Sequence, residues 1–240
     1  MSLHILQNRT QIDQARDQLE QAGLSCLQPN SVRPPGWLDR LLRRRTEPSV
    51  GDRVKSWDVL QTVRYLQSNL ARDARVLDIG AFNCEMLPML HRAGFTRLTG
   101  IDLNPALGAM PYADSIEYVT GNFMHTPFAA QSFDAVTAIS VIEHGFDGRA
   151  LLTELARVLA PGGVFVASFD YWPEKIDTSG QLFFGMSWCI FSKDEVQSFV
   201  QAAAEFGLTP VGALDFAASE RAISCAGRDY TFGWMALRKG

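Results

Sequence analysis

The chain has 240 residues, 22 Lys and Arg against 26 Asp and Glu, a net charge of −4 and 47% hydrophobic residues. This is the profile of a soluble globular protein, one large domain or one domain with a modest extension. No apolar run approaches the roughly 20 residues of a membrane-spanning helix, and the acidic balance argues against general nucleic-acid binding. Cys26, Cys84, Cys189 and Cys225 form no CxxC pair, and His4, His91, His125 and His144 are equally scattered. Neither a zinc-type metal site nor a disulfide framework is expected. The first residues turn polar too soon for a secretion signal, so the cytoplasm is the expected compartment.

The part before about Leu70 reads as helical and irregular. Residues 10–24 carry apolar side chains at helical spacing, and Pro34–Pro35–Gly36 breaks the chain after them. Between Arg33 and Lys55 seven basic residues stand against three acidic ones, including Arg43–Arg44–Arg45. A phosphate or RNA contact is one reading of that run. The favoured one is a solvated helix face packing through Trp37, Leu41 and Leu42.

From residue 74 the pattern becomes regular. "ARVLDIG" is a short apolar strand, "EMLPMLHRAG" a helix closed by Gly94, and "RLTGID" the next strand. "SIEYVTG" and "FDAVTAIS" follow as strands. "RALLTELARVLAPGG" sets Leu151, Leu152, Leu155 and Leu159 on one helical face, and "GVFVASF" is a fifth strand. "SKDEVQSFVQAAAEFG" opens with a capping box from Ser192 to Glu195. "LTPVGALDF" and "DYTFGWMALRK" end the chain as two strands. They are too close for a parallel crossover and must pair antiparallel. Strands alternating with amphipathic helices make an α/β fold with a mostly parallel sheet covered on both faces.

Ligands of such sheets sit beyond the carboxyl ends of the central strands. The first strand leads into Asp78, Gly80, Ala81, Phe82 and Asn83 ahead of a helix. Asp102 and Leu103 end the second, at the spacing where an acid accepts both ribose hydroxyls. Asn122 and Phe123 follow the third, suited to an adenine edge and face. Ser140, Glu143 and His144 follow the fourth. Each has a plainer reading: Asp102 as a helix cap, Asn122 as a turn residue.

In order and spacing, "VLDIGAFN", "GIDLNP", "GNFMHTPFAAQSFDAVTAISVIEH" and "ELARVLAPGGVFVAS" resemble the motifs of class I S-adenosylmethionine-dependent methyltransferases of the small-molecule type. The resemblance runs from about Trp57 to the end. It implies a Rossmann-like seven-stranded sheet in the order 3-2-1-4-5-7-6 with strand 7 antiparallel and helices on both faces. It also implies S-adenosyl-L-methionine as cofactor, Asp102 on its ribose, the Gly80 turn along its methionine portion, and Asn122 beside the adenine amine. Phe82 and Cys84 stand where the family more often has glycine, which serves close backbone approach or positive φ. Phe82 is compatible if its φ is negative, and Asn83 tolerates a left-handed conformation.

The chain accordingly divides into a helical extension or lid over 1–56 and a methyltransferase domain over 57–240. Within the domain, 170–191 forms a substrate-capping loop rich in aromatics, including Tyr171, Trp172, Phe183, Phe184, Trp188 and Phe191. Lys55, Trp57 and Asp58 are placed to close over the same mouth. His144 is the first candidate base, with Glu143, Asp170 and Tyr171 the other catalytic candidates. The plainer reading of Glu143–His144 is a helix cap with no base required. The expected partner is a small polar acceptor, sugar-like or amino-bearing, methylated on oxygen or nitrogen. No NPPY-type tetrapeptide follows the fourth strand, which argues against nucleic-acid bases. A homodimer stays open as an assembly. Two rival functions are a non-catalytic methyltransferase-fold binding or partner subunit, and a nicotinamide-dependent oxidoreductase, disfavoured by the absent GxGxxG and the antiparallel ending.

Overall fold

The computed structural model describes residues 2–27 and 50–240. The readings of Pro34–Pro35–Gly36, of Arg43–Arg44–Arg45 and of Trp37, Leu41 and Leu42 fall outside them.

Five strands build the parallel part: β2 (Arg75–Ile79), β3 (Arg97–Asp102), β4 (Glu117–Thr120), β5 (Phe133–Ile139) and β6 (Leu159–Tyr171). β2 pairs with β3 and with β5, β3 with β4, and β5 with β6, all parallel. The long β11 (Arg228–Lys239) runs antiparallel to β6, from Thr231 opposite Tyr171 to Arg238 opposite Val164. β9 (Leu208–Pro210) pairs antiparallel with the end of β11. In spatial order these are β4-β3-β2-β5-β6-β11-β9, the expected 3-2-1-4-5-7-6 arrangement with an antiparallel seventh strand.

The count differs from seven. The main sheet has nine strands among the described residues, because β1 (Leu3–Ile5) and β10 (Ile223–Cys225) also pair with β11. Three short strands thus share one edge of β11: β10 on Arg228–Tyr230, β1 on Gly233–Met235 and β9 on Leu237–Lys239. The segment before residue 57, expected to be helical and irregular, therefore contributes a strand to the main sheet.

Pleating sends alternate side chains to opposite faces. Val164 and Val166 of β6 pack on one side with α1 (Thr10–Gln21), α2 (Ser56–Asn69) and α3 (Met86–Arg92). Phe165, Ala167, Phe169 and Tyr171 pack on the other with α4 (Gly148–Val158) and α5 (Lys193–Glu205). The capping box of α5 is formed: the Glu195 amide donates to Ser192 Oγ at 3.3 Å, and the Ser192 amide to Glu195 Oε2 at 2.8 Å. No helix of the described residues is long and apolar enough to cross a membrane.

Between β6 and α5 the chain makes a small hairpin, β7 (Leu182–Phe183) and β8 (Met186–Ser187). Its two-residue turn, Phe184–Gly185, has φ of 55° and 78°. Positive φ at both positions matches the twist of a tight hairpin, and Phe184 is an unusual residue to take it. The side chain stands 86% exposed at the tip.

Candidate active site

Chain order runs β2-β3-β4 toward one edge and β5-β6-β11 toward the other, so the sheet switches direction between β2 and β5. A cleft of about 540 Å³ opens above the carboxyl ends of these strands. Its walls come from the turns after β2, β3 and β5, from Gly51–Lys55 before α2, and from the β7–β8 hairpin.

The turn after β2 is built on backbone conformation. Gly80 has φ +73°, and a Cβ there would lie 2.3 Å from Val141 Cγ2. Only glycine fits both the left-handed region and this approach. The Gly80 amide donates to the Ile101 carbonyl at 2.9 Å, tying the turn to β3. Asn83 takes φ +55°, as expected of its short amide side chain, while Phe82 stays at negative φ. Phe82 therefore costs the loop no strain, and its 37% exposed side chain lies in the cleft wall. Cys84 also lines the cleft. Burial first, then the Asp78 charge, pushes its thiol well above the usual range, so it stays protonated.

Asp102 faces this turn across the cleft floor. Its Oδ2 accepts the Phe82 amide at 3.0 Å and its Oδ1 the Asn104 amide at 2.8 Å. Each oxygen keeps a lone pair for a ligand hydroxyl. Leu103, 58% exposed, and Phe123 supply apolar wall on either side. Ser140, at φ +51°, and His144 form the part nearest the hairpin. The His144 ring lies 5.9 Å from that of Phe183 and 5.6 Å from that of Phe184. Burial, and then the Lys55 charge, lower its pKa to about 4, so the imidazole is neutral at physiological pH.

Of the expected site residues, Gly80, Phe82, Asn83, Asp102, Leu103, Phe123, Ser140 and His144 all line this cleft. Six stand elsewhere. Asp78 is buried, its Oδ1 accepting Thr137 Oγ1 at 2.5 Å, and burial raises its pKa to about 7. Ala81 is buried under the turn. The Asn122 side-chain carbonyl accepts the Met124 amide at 2.9 Å, the turn role of an Asx residue. Tyr171 packs on the opposite face of the sheet, its hydroxyl donating to the Phe216 carbonyl at 2.9 Å. Glu143 and Asp170 are buried and absent from the cleft wall.

The structure brings in groups with no local motif. Lys55 lines the cleft and donates to Ser140 Oγ at 2.6 Å. Glu85 lines it too, held from behind by Arg16 of α1 through contacts of 2.5 and 3.1 Å, with both side chains essentially inaccessible. Sixty-nine residues separate that pair. No spacing rule connects them.

The strand order, the reversal at β2/β5 and the Gly80–Asp102 cleft define the class I methyltransferase fold. Residues 77–167 match the family model of the methyltransferase domain. A sterol 24-C-methyltransferase of Clavispora lusitaniae is 36% identical over 108 residues, covering 40% of this chain and 28% of its own. An O-methyltransferase, rstn1, of Aspergillus nomiae is 33% identical over 99 residues, covering 38% of this chain and 44% of its own. The matches thus span less than half of either relative. Among solved structures, a putative sarcosine dimethylglycine methyltransferase from Galdieria sulphuraria superposes with a TM-score of 0.56 over 95% of this chain and 98% of its own. At 19% identity, that likeness is one of fold. A methyltransferase domain is thus recognisable at residues 77–167, and the fold of the chain is like that of class I methyltransferases.

Proposed function

We propose that the chain transfers a methyl group from S-adenosyl-L-methionine to an oxygen or nitrogen of a small-molecule acceptor. The observation that carries this is the pairing, across one cleft, of the Gly80–Asn83 turn with a carboxylate, Asp102, whose lone pairs remain available. Asp102 binds the ribose hydroxyls, Leu103 and Phe123 flank the adenine, and the Gly80 turn passes the methionine portion. Nothing in the turn favours the reading as a non-catalytic subunit: Gly80 and Asn83 carry its special backbone angles, and Phe82 adopts an ordinary one.

Methyl transfer is an in-line displacement at a sulfonium carbon, and the protein's main task is to hold the acceptor lone pair within about 3–3.5 Å of it. His144 is a cleft-lining group able to accept the acceptor's proton or orient its O–H or N–H. Its neutral imidazole offers a lone pair throughout the physiological range. The cleft-side groups Val59, Ile139, Val141, Phe184 and Met186 make the surroundings mainly apolar, so the acceptor is small and carries apolar as well as polar surface.

His144→Ala is expected to lower kcat by about 10²-fold or more, the scale of a lost proton-transfer group. The wild-type rate should be flat from pH 6 to 8 and fall on the acid side around pH 4, because a lowered folded pKa keeps the base form until then. Measuring S-adenosylhomocysteine release against pH over an acceptor panel checks both. An acid limb centred near the ordinary histidine value of about 6.5 would remove His144 from this role.

A further inference from the structure

Six buried side-chain polar atoms lack a hydrogen-bond partner among the described residues, and four of them gather behind one wall of the cleft. They are Asp58 Oδ1, Glu143 Oε2, Asp170 Oδ1 and His144 Nδ1. Native interiors rarely leave such atoms unpaired, and a cluster of them points to a missing partner. Asp58, Glu143 and Asp170 are each more than nine-tenths buried. Among the described residues one cation, the Lys55 ammonium, acts on all three.

The surroundings of that ammonium specify what the site accepts. Lys55 Nζ stands 2.6 Å from Ser140 Oγ, 4.0 Å from Asp170 Oδ1 and 3.9 Å from the centroid of the Phe232 ring. Trp188 fixes the Asp170 carboxylate by donating its indole N–H to Oδ2 at 2.7 Å. Trp188, Tyr230 and Phe232 follow one another edge to face, with centroids 5.7 and 6.2 Å apart. A carboxylate, a hydroxyl and an aromatic face around one nitrogen form an ammonium cage. Lys55 occupies it and itself lines the cleft. Among the described residues no group of three or more His, Cys, Asp and Glu is arranged to hold a metal ion.

The three buried acids share the Lys55 ammonium. Burial raises the pKa of Asp58 to about 7 and moves Glu143 and Asp170 upward, while Lys55 pulls each back down.

We propose that the acceptor taken by this cleft carries an ammonium group, which enters the Asp170–Phe232 cage in the place held there by Lys55 and anchors the acceptor while a neutral oxygen or nitrogen elsewhere on it takes the methyl group. The proposal rests on reading the cleft as the methyl-transfer site. Simple probes test it: 2-phenylethylamine, the neutral 2-phenylethanol and the anionic 3-phenylpropionate, titrated into the full chain at pH 7 with and without saturating S-adenosylhomocysteine. The amine should bind about tenfold or more tightly than the alcohol, and the acid weakest, because only the amine fills the cage. Asp170→Asn should bring amine and alcohol within about threefold of each other while leaving S-adenosylhomocysteine affinity unchanged. Lys55→Met, which removes the competing ammonium, should tighten the amine and not the alcohol, and gives a second variant should Asp170→Asn fold poorly. Equal binding of amine and alcohol overturns the proposal, as does weaker amine binding in Lys55→Met. If Asp170→Asn weakens S-adenosylhomocysteine instead of the amine, the cage belongs to the cofactor's own amino group and the proposal falls. Absence of any S-adenosylhomocysteine binding is a different failure, that of the cleft's reading as a cofactor site.

Discussion

Arg16→Met is expected to lower the unfolding free energy by about 3–5 kcal/mol, the cost of stranding one member of a buried ion pair. Arg16 is fully inaccessible and grips both oxygens of Glu85, while its Nε and Nη1 donate to Ser56 and Ser25 hydroxyls at 2.9 Å. The substitution keeps much of the volume and removes every one of these donors. For a chain of this size the loss corresponds to roughly 6–20 °C in Tm. Its pH dependence carries a sign. Burial already raises the Glu85 pKa and Arg16 holds it back, so the variant's folded pKa climbs further above the unfolded value. An acid raised in the folded state costs stability only once the unfolded chain ionises. The deficit should therefore shrink toward pH 4 and grow above it. Urea denaturation of both proteins from pH 4 to 8 reads this directly. A deficit under about 1 kcal/mol at neutral pH would mean the pair is worth no more than a surface contact. Because Glu85 lines the cleft, the same variant should also bind S-adenosylhomocysteine less tightly.

Gly80→Ala should cripple the turn after β2. The added methyl would sit 2.3 Å from Val141 Cγ2 at a residue with φ +73°. Overpacking costs about 1–3 kcal/mol and the left-handed conformation about 1–2 more, so the turn shifts or the domain loses roughly 2–5 kcal/mol. Affinity for S-adenosylhomocysteine should drop at least about tenfold, since a 1.4 kcal/mol displacement cost suffices for that. Pairing it with Val141→Ala separates the two causes. That second change removes the clash and leaves the backbone strain, so it should recover part of the stability and not all. Full recovery would show that φ at Gly80 carries no cost.

The order of the sheet was legible because its central strands alternate with helices whose apolar faces repeat at 3.6 residues. β1 and β10 were not. Leu3–Ile5 and Ile223–Cys225 are three-residue segments with no pattern of their own, and only the exposed edge of β11 makes them strands. At the site, residues defined by backbone need or strand-end position were readable: Gly80, Asn83, Asp102 and His144. The misplacement of Tyr171 has a geometric cause. With the fifth strand ended at Phe169, Asp170 and Tyr171 both looked like loop residues free to face the cleft. β6 in fact continues through Tyr171, and pleating sends neighbours to opposite faces, so only Asp170 turns toward the Lys55 side. Asn122 shows the opposite limit, a residue whose local turn chemistry claimed its side chain. Lys55, Asp58 and the Arg16–Glu85 pair owe their places to tertiary packing, which no short motif announces.

The central claim is that the Gly80–Asp102 cleft binds S-adenosyl-L-methionine. Calorimetric titration of the full chain with S-adenosyl-L-methionine, S-adenosylhomocysteine and NAD, beside Asp102→Ala, tests it most directly. The expected result is micromolar binding of the first two, none of NAD, and about 10–100-fold weaker binding in the variant, where the charge-assisted bonds to two ribose hydroxyls are lost. Absence of binding by the wild-type chain, or equal affinity in Asp102→Ala, would contradict it.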